Sequence, residues 1–167
     1  MSGIYIHIPY CKQACHYCNY HFSTSLKNKE SVISAMIKEI VIKSVGNNDL
    51  IQTIYFGGGT PSFFDTKEIN KIINSIFEKF KISENPEITL EANPDDLSNT
   101  KLIELSQSYI NRLSIGVQSF NDDELILMNR SHSSDDAKNC IDNALKYYDN
   151  ISIDLIFGMP NSNLKTW

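Results

Sequence analysis

Three cysteines stand close together, Cys11, Cys15 and Cys18, in the run His7-Ile8-Pro9-Tyr10-Cys11-Lys12-Gln13-Ala14-Cys15-His16-Tyr17-Cys18. This spacing lets their thiolates reach one metal centre, and the remaining cysteine, Cys140, is far away in the chain. A cubane iron–sulfur cluster is usually held by four cysteines. Held by three, it keeps one iron without a protein ligand, able to chelate a small molecule by an amine and a carboxylate. An open metal position is where chemistry happens, whereas a closed one is usually structural. The same spacing also suits zinc, with His16 or His21 as the fourth ligand. Cysteines buried without metal fit less well, because Lys12, Gln13 and His16 make the loop polar.

The elements that must position these residues alternate between strand and helix. Residues 4–8 alternate with period two and read as a strand. Residues 30–44 carry Ile33, Met36, Ile37, Ile40 and Val41 at helical spacing, with Gly46 as a stop. Residues 51–56 form a second strand. A helix over 66–80 places Ile69, Ile72, Ile73, Ile76, Phe77 and Phe80 on one stripe, with Asp65 as its cap. A strand at 87–92, a short helix at 102–109 and a strand at 112–117 follow. Helices at 122–128 and 135–148, a strand at 151–157 and a helix starting over 163–167 complete the chain. This rhythm predicts an α/β fold, a parallel sheet with helices outside.

The unusual residues all follow strands. Cys11 follows the first, Gly57-Gly58-Gly59-Thr60-Pro61 the second and Asn93-Pro94-Asp95 the third. Gln118-Ser119 follows the fourth and Gly158-Met159-Pro160 the fifth. The carboxyl ends of the strands are the functional edge of barrels and open α/β sheets. Five strands do not close an eight-stranded barrel, so a fragment, or an open, partial barrel lacking its last strands, is expected. No linker or repeat marks a domain boundary within residues 1–167.

Composition narrows the classes. The 167 residues suffice for one domain with a core, and 41% are hydrophobic. A net charge of −5 offers no basic face for nucleic acid. No apolar run approaches the length of a membrane span. The start lacks the basic residues and long apolar stretch of a signal peptide. Clustered cysteines suit the reducing cytosol, where they bind metal more often than they pair, so a cytoplasmic location is expected.

Cys11-x3-Cys15-x2-Cys18 resembles the signature of radical S-adenosylmethionine (SAM) enzymes. Five wider blocks extend the likeness. They are Tyr5-Ile6-His7-Ile8-Pro9-Tyr10-Cys11, Phe56-Gly57-Gly58-Gly59-Thr60-Pro61-Ser62, Leu90-Glu91-Ala92-Asn93-Pro94, Leu113-Ser114-Ile115-Gly116-Val117-Gln118-Ser119-Phe120 and Ile153-Asp154-Leu155-Ile156-Phe157-Gly158-Met159-Pro160. In this order they resemble the family of oxygen-independent coproporphyrinogen III oxidase and the haem chaperone HemW. The resemblance implies a partial (β/α)6-type radical SAM barrel, incomplete in this chain after about five strands, with a further domain beyond it. It implies a [4Fe-4S] cluster on Cys11, Cys15 and Cys18 and SAM on the open iron. One electron from the cluster would then cleave SAM to methionine and a 5′-deoxyadenosyl radical.

The resemblance also implies roles for individual residues. Gly58, Gly59 and Thr60 lie against the methionine end of SAM; without the resemblance, the glycines read equally as a tight turn. Tyr17 lies beside the adenine. Tyr5 lies near SAM, or is an ordinary strand tyrosine. Glu91, in an otherwise apolar strand, accepts hydrogen bonds from an amine or ribose hydroxyl, or lies on an exposed face. Gln118, Arg130 and Asp154 line the inner cavity around a second SAM molecule. Alternatively, Arg130 and Asp154 form a structural ion pair, with Asp154 interrupting a buried-type strand. His7 reads as a packing or hydrogen-bonding residue and Cys140 as core, while His132 has no evident partner.

Two activities remain, radical oxidative decarboxylation of coproporphyrinogen III and delivery of haem to client proteins. In the oxidase branch another cysteine follows the third by two residues, where this chain has Tyr20. The oxidase branch also usually carries an N-terminal extension before the first strand. Both features favour the haem chaperone, whose implied partners are SAM, haem, an electron donor protein and a haem-accepting client. The haem ligand would lie beyond Trp167.

Overall fold

The computed structural model describes residues 2–160, 162 and 163. Five strands form one sheet in the order β1-β2-β3-β4-β5, every neighbouring pair parallel. The strands are β1 (Ser2–Ile8), β2 (Leu50–Gly58), β3 (Lys81–Ala92), β4 (Arg112–Gln118) and β5 (Ile151–Leu155). Helices α1 (Lys29–Ser44), α2 (Thr66–Lys79) and α3 (Asn99–Ser106) occupy the first three crossovers, and α4 (Asp122–Leu127) and α5 (Ser134–Ala144) share the fourth. The expected α/β architecture is the one observed. The helix start anticipated over 163–167 falls, apart from Asn163, outside the described residues.

Period two gives the sheet two unlike faces. Ile6 and Ile8, Ile54 and Phe56, Ile88 and Leu90, and Leu113, Ile115 and Val117 are buried in the apolar core. From α2, Ile69, Ile72, Ile73 and Ile76 join them, each at most 1% exposed. Burial of such a side chain stabilises the fold by about 1.5–3 kcal/mol. The intervening strand positions carry Tyr5 and His7, Tyr55 and Gly57, Thr89 and Glu91, Ser114 and Gly116, and Ser152 and Asp154. Register pairs Tyr5 with Tyr55, His7 with Gly57, Glu91 with Ser114 and Gly116 with Asp154, giving one continuous polar row across the sheet.

Several boundaries differ from expectation. Gly57 and Gly58 belong to β2, paired with His7 and Ile8, so two of the three glycines are strand and Gly59 begins the loop. β3 begins at Lys81, with an irregularity opposite the step from Ile51 to Thr53. Pro86 lies in that stretch and cannot donate to a ladder. Asn111 steps in, its Oδ1 accepting from Ile88 N at 2.8 Å and its Nδ2 donating to the Pro86 carbonyl at 2.8 Å. α3 starts at Asn99 because Ser98 caps it, Oγ accepting from Lys101 N. The strand expected to be of the buried type, β5, is an edge strand, with Ile153 39% and Leu155 40% exposed. Of its apolar residues, Ile151 packs against the core.

Candidate functional site

All the candidate residues except Tyr5 line one cavity of about 190 Å³ at the carboxyl ends of the strands. Cys11, Cys15, Tyr17 and Cys18 come from the loop after β1, Gly58, Gly59 and Thr60 from the end of β2, and Glu91 from β3. Gln118 ends β4, Arg130 follows α4 and Asp154 lies on β5. Tyr5 stands outside the wall. Its ring is 57% exposed, stacked on Tyr55 at 6.0 Å between centroids, with its hydroxyl 3.3 Å from His7 Nδ1. The groove it lines runs between β1 and α1 instead.

Backbone bonds from both sides hold the cysteine loop. Cys11 N donates to Ser23 O at 3.1 Å and Ser23 N to Pro9 O at 2.9 Å, folding the loop back on its own start. Gly59 N and Thr60 N donate to the carbonyls of Ile8 and Tyr10, each at 2.7 Å. A side chain at position 59 would bring its Cβ to 2.5 Å from Tyr10 O, so only glycine permits this approach. Gly58 has φ of +110°, and a Cβ there would lie 2.6 Å from the His7 ring. Lys12 bridges the loop to the turn after β3 through Asp95 (3.2 Å) and Asp96, and Ser62 donates to Asp96 at 2.8 Å.

Burial dominates the electrostatics of the cavity wall. Burial pushes the Cys11 thiol up, partly offset by a hydrogen bond from Thr60, so binding must displace a proton. Burial also lifts Tyr17 to about 12, keeping its hydroxyl neutral. Glu91 is raised chiefly by burial, against hydrogen bonds from Tyr55 OH (2.8 Å) and Gly58 N (3.2 Å). Burial followed by the Glu91 contact raises Tyr55 to about 12. Glu91 therefore sits on the polar face with its carboxylate oriented by two donors, rather than on an exposed face.

Arg130 does not pair with Asp154. Its guanidinium donates to Cys15 Sγ (3.3 Å), Tyr17 OH (3.2 Å), Asn93 Oδ1 (2.7 Å) and the Gly116 carbonyl (2.8 Å). The edge position of β5 leaves Asp154 exposed, so no burial cost drives it to a cation. Asn93, which the sequence marked only as part of a loop, is the hub. It accepts from Arg130, donates to Thr60 Oγ1 at 3.3 Å and binds Ser62 Oγ through its backbone N–H. Gln118 lies in the left-handed region at φ +69°, a strained position of the kind found at ligand sites. His132, without a partner in the sequence, hydrogen-bonds the Val117 carbonyl at 3.0 Å in the interior, where burial lowers its pKa. Cys140 is buried, as expected.

Among the described residues, no three His, Cys, Asp or Glu side chains stand close enough to hold one metal ion. The zinc arrangement finds no donor set, and the His16 ring is engaged with the Leu127 carbonyl at 3.0 Å. A cubane asks for something different, since its thiolates bind separate irons rather than one tetrahedral ion. Cys11, Cys15 and Cys18 are free and half-buried around one cavity, and they fit that demand.

A family model described as the radical SAM superfamily matches residues 5–167. "Heme chaperone HemW" of Buchnera aphidicola subsp. Acyrthosiphon pisum is 38% identical over 98% of this chain and 44% of its own length. The protein of the same name from Bacillus subtilis is 38% identical over 99% of this chain and 45% of its own. The chain thus spans less than half the length of these relatives. Among solved structures, the coproporphyrinogen III oxidase HemN of Escherichia coli, described as a radical SAM enzyme, superposes with a TM-score of 0.89 at 27% identity. That match covers 98% of this chain and 39% of HemN. No described helix is long and apolar enough to cross a membrane.

Proposed function

The chain belongs to the radical SAM superfamily, and on that premise we propose that Cys11, Cys15 and Cys18 hold a [4Fe-4S] cluster whose open iron takes SAM. The observation that carries the reading is the convergence of the three thiols, the Gly58, Gly59 and Thr60 edge and Glu91 on one cavity. Bound together, the two groups supply one-electron cleavage of a sulfonium; the protein binds, orients and shields them. Gly58 and Gly59 let backbone come close to the cofactor's amino-acid end. Asn93 fixes the Thr60 side chain beside it. Glu91, oriented by Tyr55, accepts from an amine or ribose hydroxyl. Tyr17, 40% exposed, offers a ring face to the adenine, and Tyr5 stands behind Gly57. Gln118 and Asp154 line the far wall, where a second SAM or the porphyrin would approach.

For the whole protein we propose a haem chaperone, of which this chain is the radical SAM core, working in a reducing compartment with an electron donor protein and a haem-accepting client. Tyr20 supports this choice, standing where the oxidase branch continues with another cysteine. The likeness to HemW relatives over nearly the whole chain supports it too. The second reading, an oxygen-independent coproporphyrinogen III oxidase, draws on the close superposition with HemN.

The full-length protein reconstituted without oxygen is expected to be brown, with about four irons per chain. It is expected to bind haem and to leave coproporphyrinogen III unchanged in the presence of SAM and a reductant. Protoporphyrinogen formed at enzymatic rates would select the oxidase. A colourless, zinc-loaded protein would overturn the cluster.

A further inference from the structure

The turn that ends α4 grips the cysteine loop along its length. Met128 O accepts from His16 N at 3.1 Å, and Leu127 O lies 3.0 Å from His16 Nδ1. The Asn129 amide is used at both ends, Oδ1 accepting from Gln13 Nε2 at 2.7 Å and Nδ2 donating to Ala14 O at 2.8 Å. Arg130 follows with its bonds to Cys15 Sγ and Tyr17 OH. Gln13, Ala14, Cys15, His16 and Tyr17 are thus all held by one short turn distant in sequence. The turn has its own rigidity. Asn129 is in the left-handed conformation at φ +58°, a common way for asparagine to end a helix. The other half of the Arg130 fork is tied to Asn93 and to Gly116 O, at the ends of β3 and β4.

We propose that Asn129 and Arg130 are positioning residues for the cysteine loop, and that Arg130 raises the cluster's reduction potential by donating a hydrogen bond to the Cys15 sulfur. The inference rests on the cluster reading above. Reduction adds one electron, and so one negative charge, to the cluster and its thiolates. A cationic donor at a ligand sulfur stabilises that added charge more than it stabilises the oxidised state. Planar fork geometry lets one guanidinium bind Cys15, Tyr17, Asn93 and Gly116 together, which an ammonium would not do. Asn129 acts before any iron arrives, keeping residues 13–17 in the shape from which the thiols converge.

The test uses the full-length protein and the variants Arg130→Met and Asn129→Gly. Glycine tolerates the left-handed backbone, so Asn129→Gly removes the amide without straining the turn. With the cluster reconstituted, Arg130→Met is expected to lower the reduction potential followed by electron paramagnetic resonance. Both variants are expected to lose iron to a chelator about tenfold faster than wild type, the usual scale for outer partners of metal ligands. In the cluster-free protein, Asn129→Gly is expected to speed amide hydrogen exchange at His16. Should Arg130→Met not fold, Arg130→Lys keeps the charge without the fork, and a lowered potential is again expected. An unchanged potential overturns the role of Arg130, and unchanged exchange at His16 overturns that of Asn129. A wild-type protein that takes up no iron overturns the cluster reading itself, and the exchange measurement still decides whether the turn holds the loop.

Discussion

Glu91 shows how one side chain can be costly to the fold and useful to the site. Facing it are His7 and Tyr5 from β1, Tyr55 from β2 and Asp154 from β5. Burial is the largest influence and raises its pKa above the usual carboxylate value; Asp154 adds to the rise, while Tyr55, Gly58 and His7 oppose it. Between the unfolded and folded pKa the native chain binds more protons than the unfolded one, so stability falls as pH rises through that window. The cofactor-free protein is therefore expected to lose stability relative to Glu91→Gln as pH climbs from below the ordinary glutamate value through the raised one. Urea unfolding of both proteins across that range checks the sign, and a constant difference would refute it. The same residue was legible as unusual in the sequence, because a lone carboxylate interrupts an apolar strand. Arg130 was less legible. Its partners are Cys15, Tyr17, Asn93 and Gly116, and no local pattern connects it to them. Asn129 carried no signal at all, since an asparagine after a helix reads only as an end.

At the scale of elements, α2 is where the sequence spoke most clearly. Its isoleucines recur at helical spacing, and Asp65 caps it, with the Glu68 carboxylate accepting from Asp65 N at 2.9 Å. Ile72 is fully buried on this helix, on the core side of the sheet. Ile72→Ala is expected to cost about 2–5 kcal/mol of stability. Spectra and iron content of the reconstituted protein at low temperature should stay unchanged, because the cavity lies on the other face. Denaturant titration with iron analysis checks both halves. The first stretch of β3 was hidden because Asn85 and Pro86 read as turn residues, and only Asn111, from the neighbouring connection, makes the irregular strand possible. β5 was misjudged for another reason. Apolar residues in a row signal burial only when something covers them, and sequence pattern does not say what lies alongside.

On the scale of the molecule, the sheet has two dissimilar sides but also two ends. β5 pairs with β4, and among the described residues no strand lies along its other edge. An exposed strand edge with apolar side chains is a template for pairing with a second chain. The 167-residue chain on its own is expected to self-associate with rising concentration, and Leu155→Lys is expected to reduce this. Sedimentation at several concentrations checks it, and equal behaviour of the two proteins would count against the edge.

The contact from Arg130 to Cys15 spans 115 positions, and its consequence concerns biosynthesis. At about 5–20 residues per second, the ribosome takes roughly 6 to 23 seconds to add the arginine after the cysteine. Throughout that interval the Cys15 sulfur lacks its Arg130 donor. Iron inserted as the cysteines emerge would therefore be held without the Arg130 contact, which forms only once the α4 turn has been made.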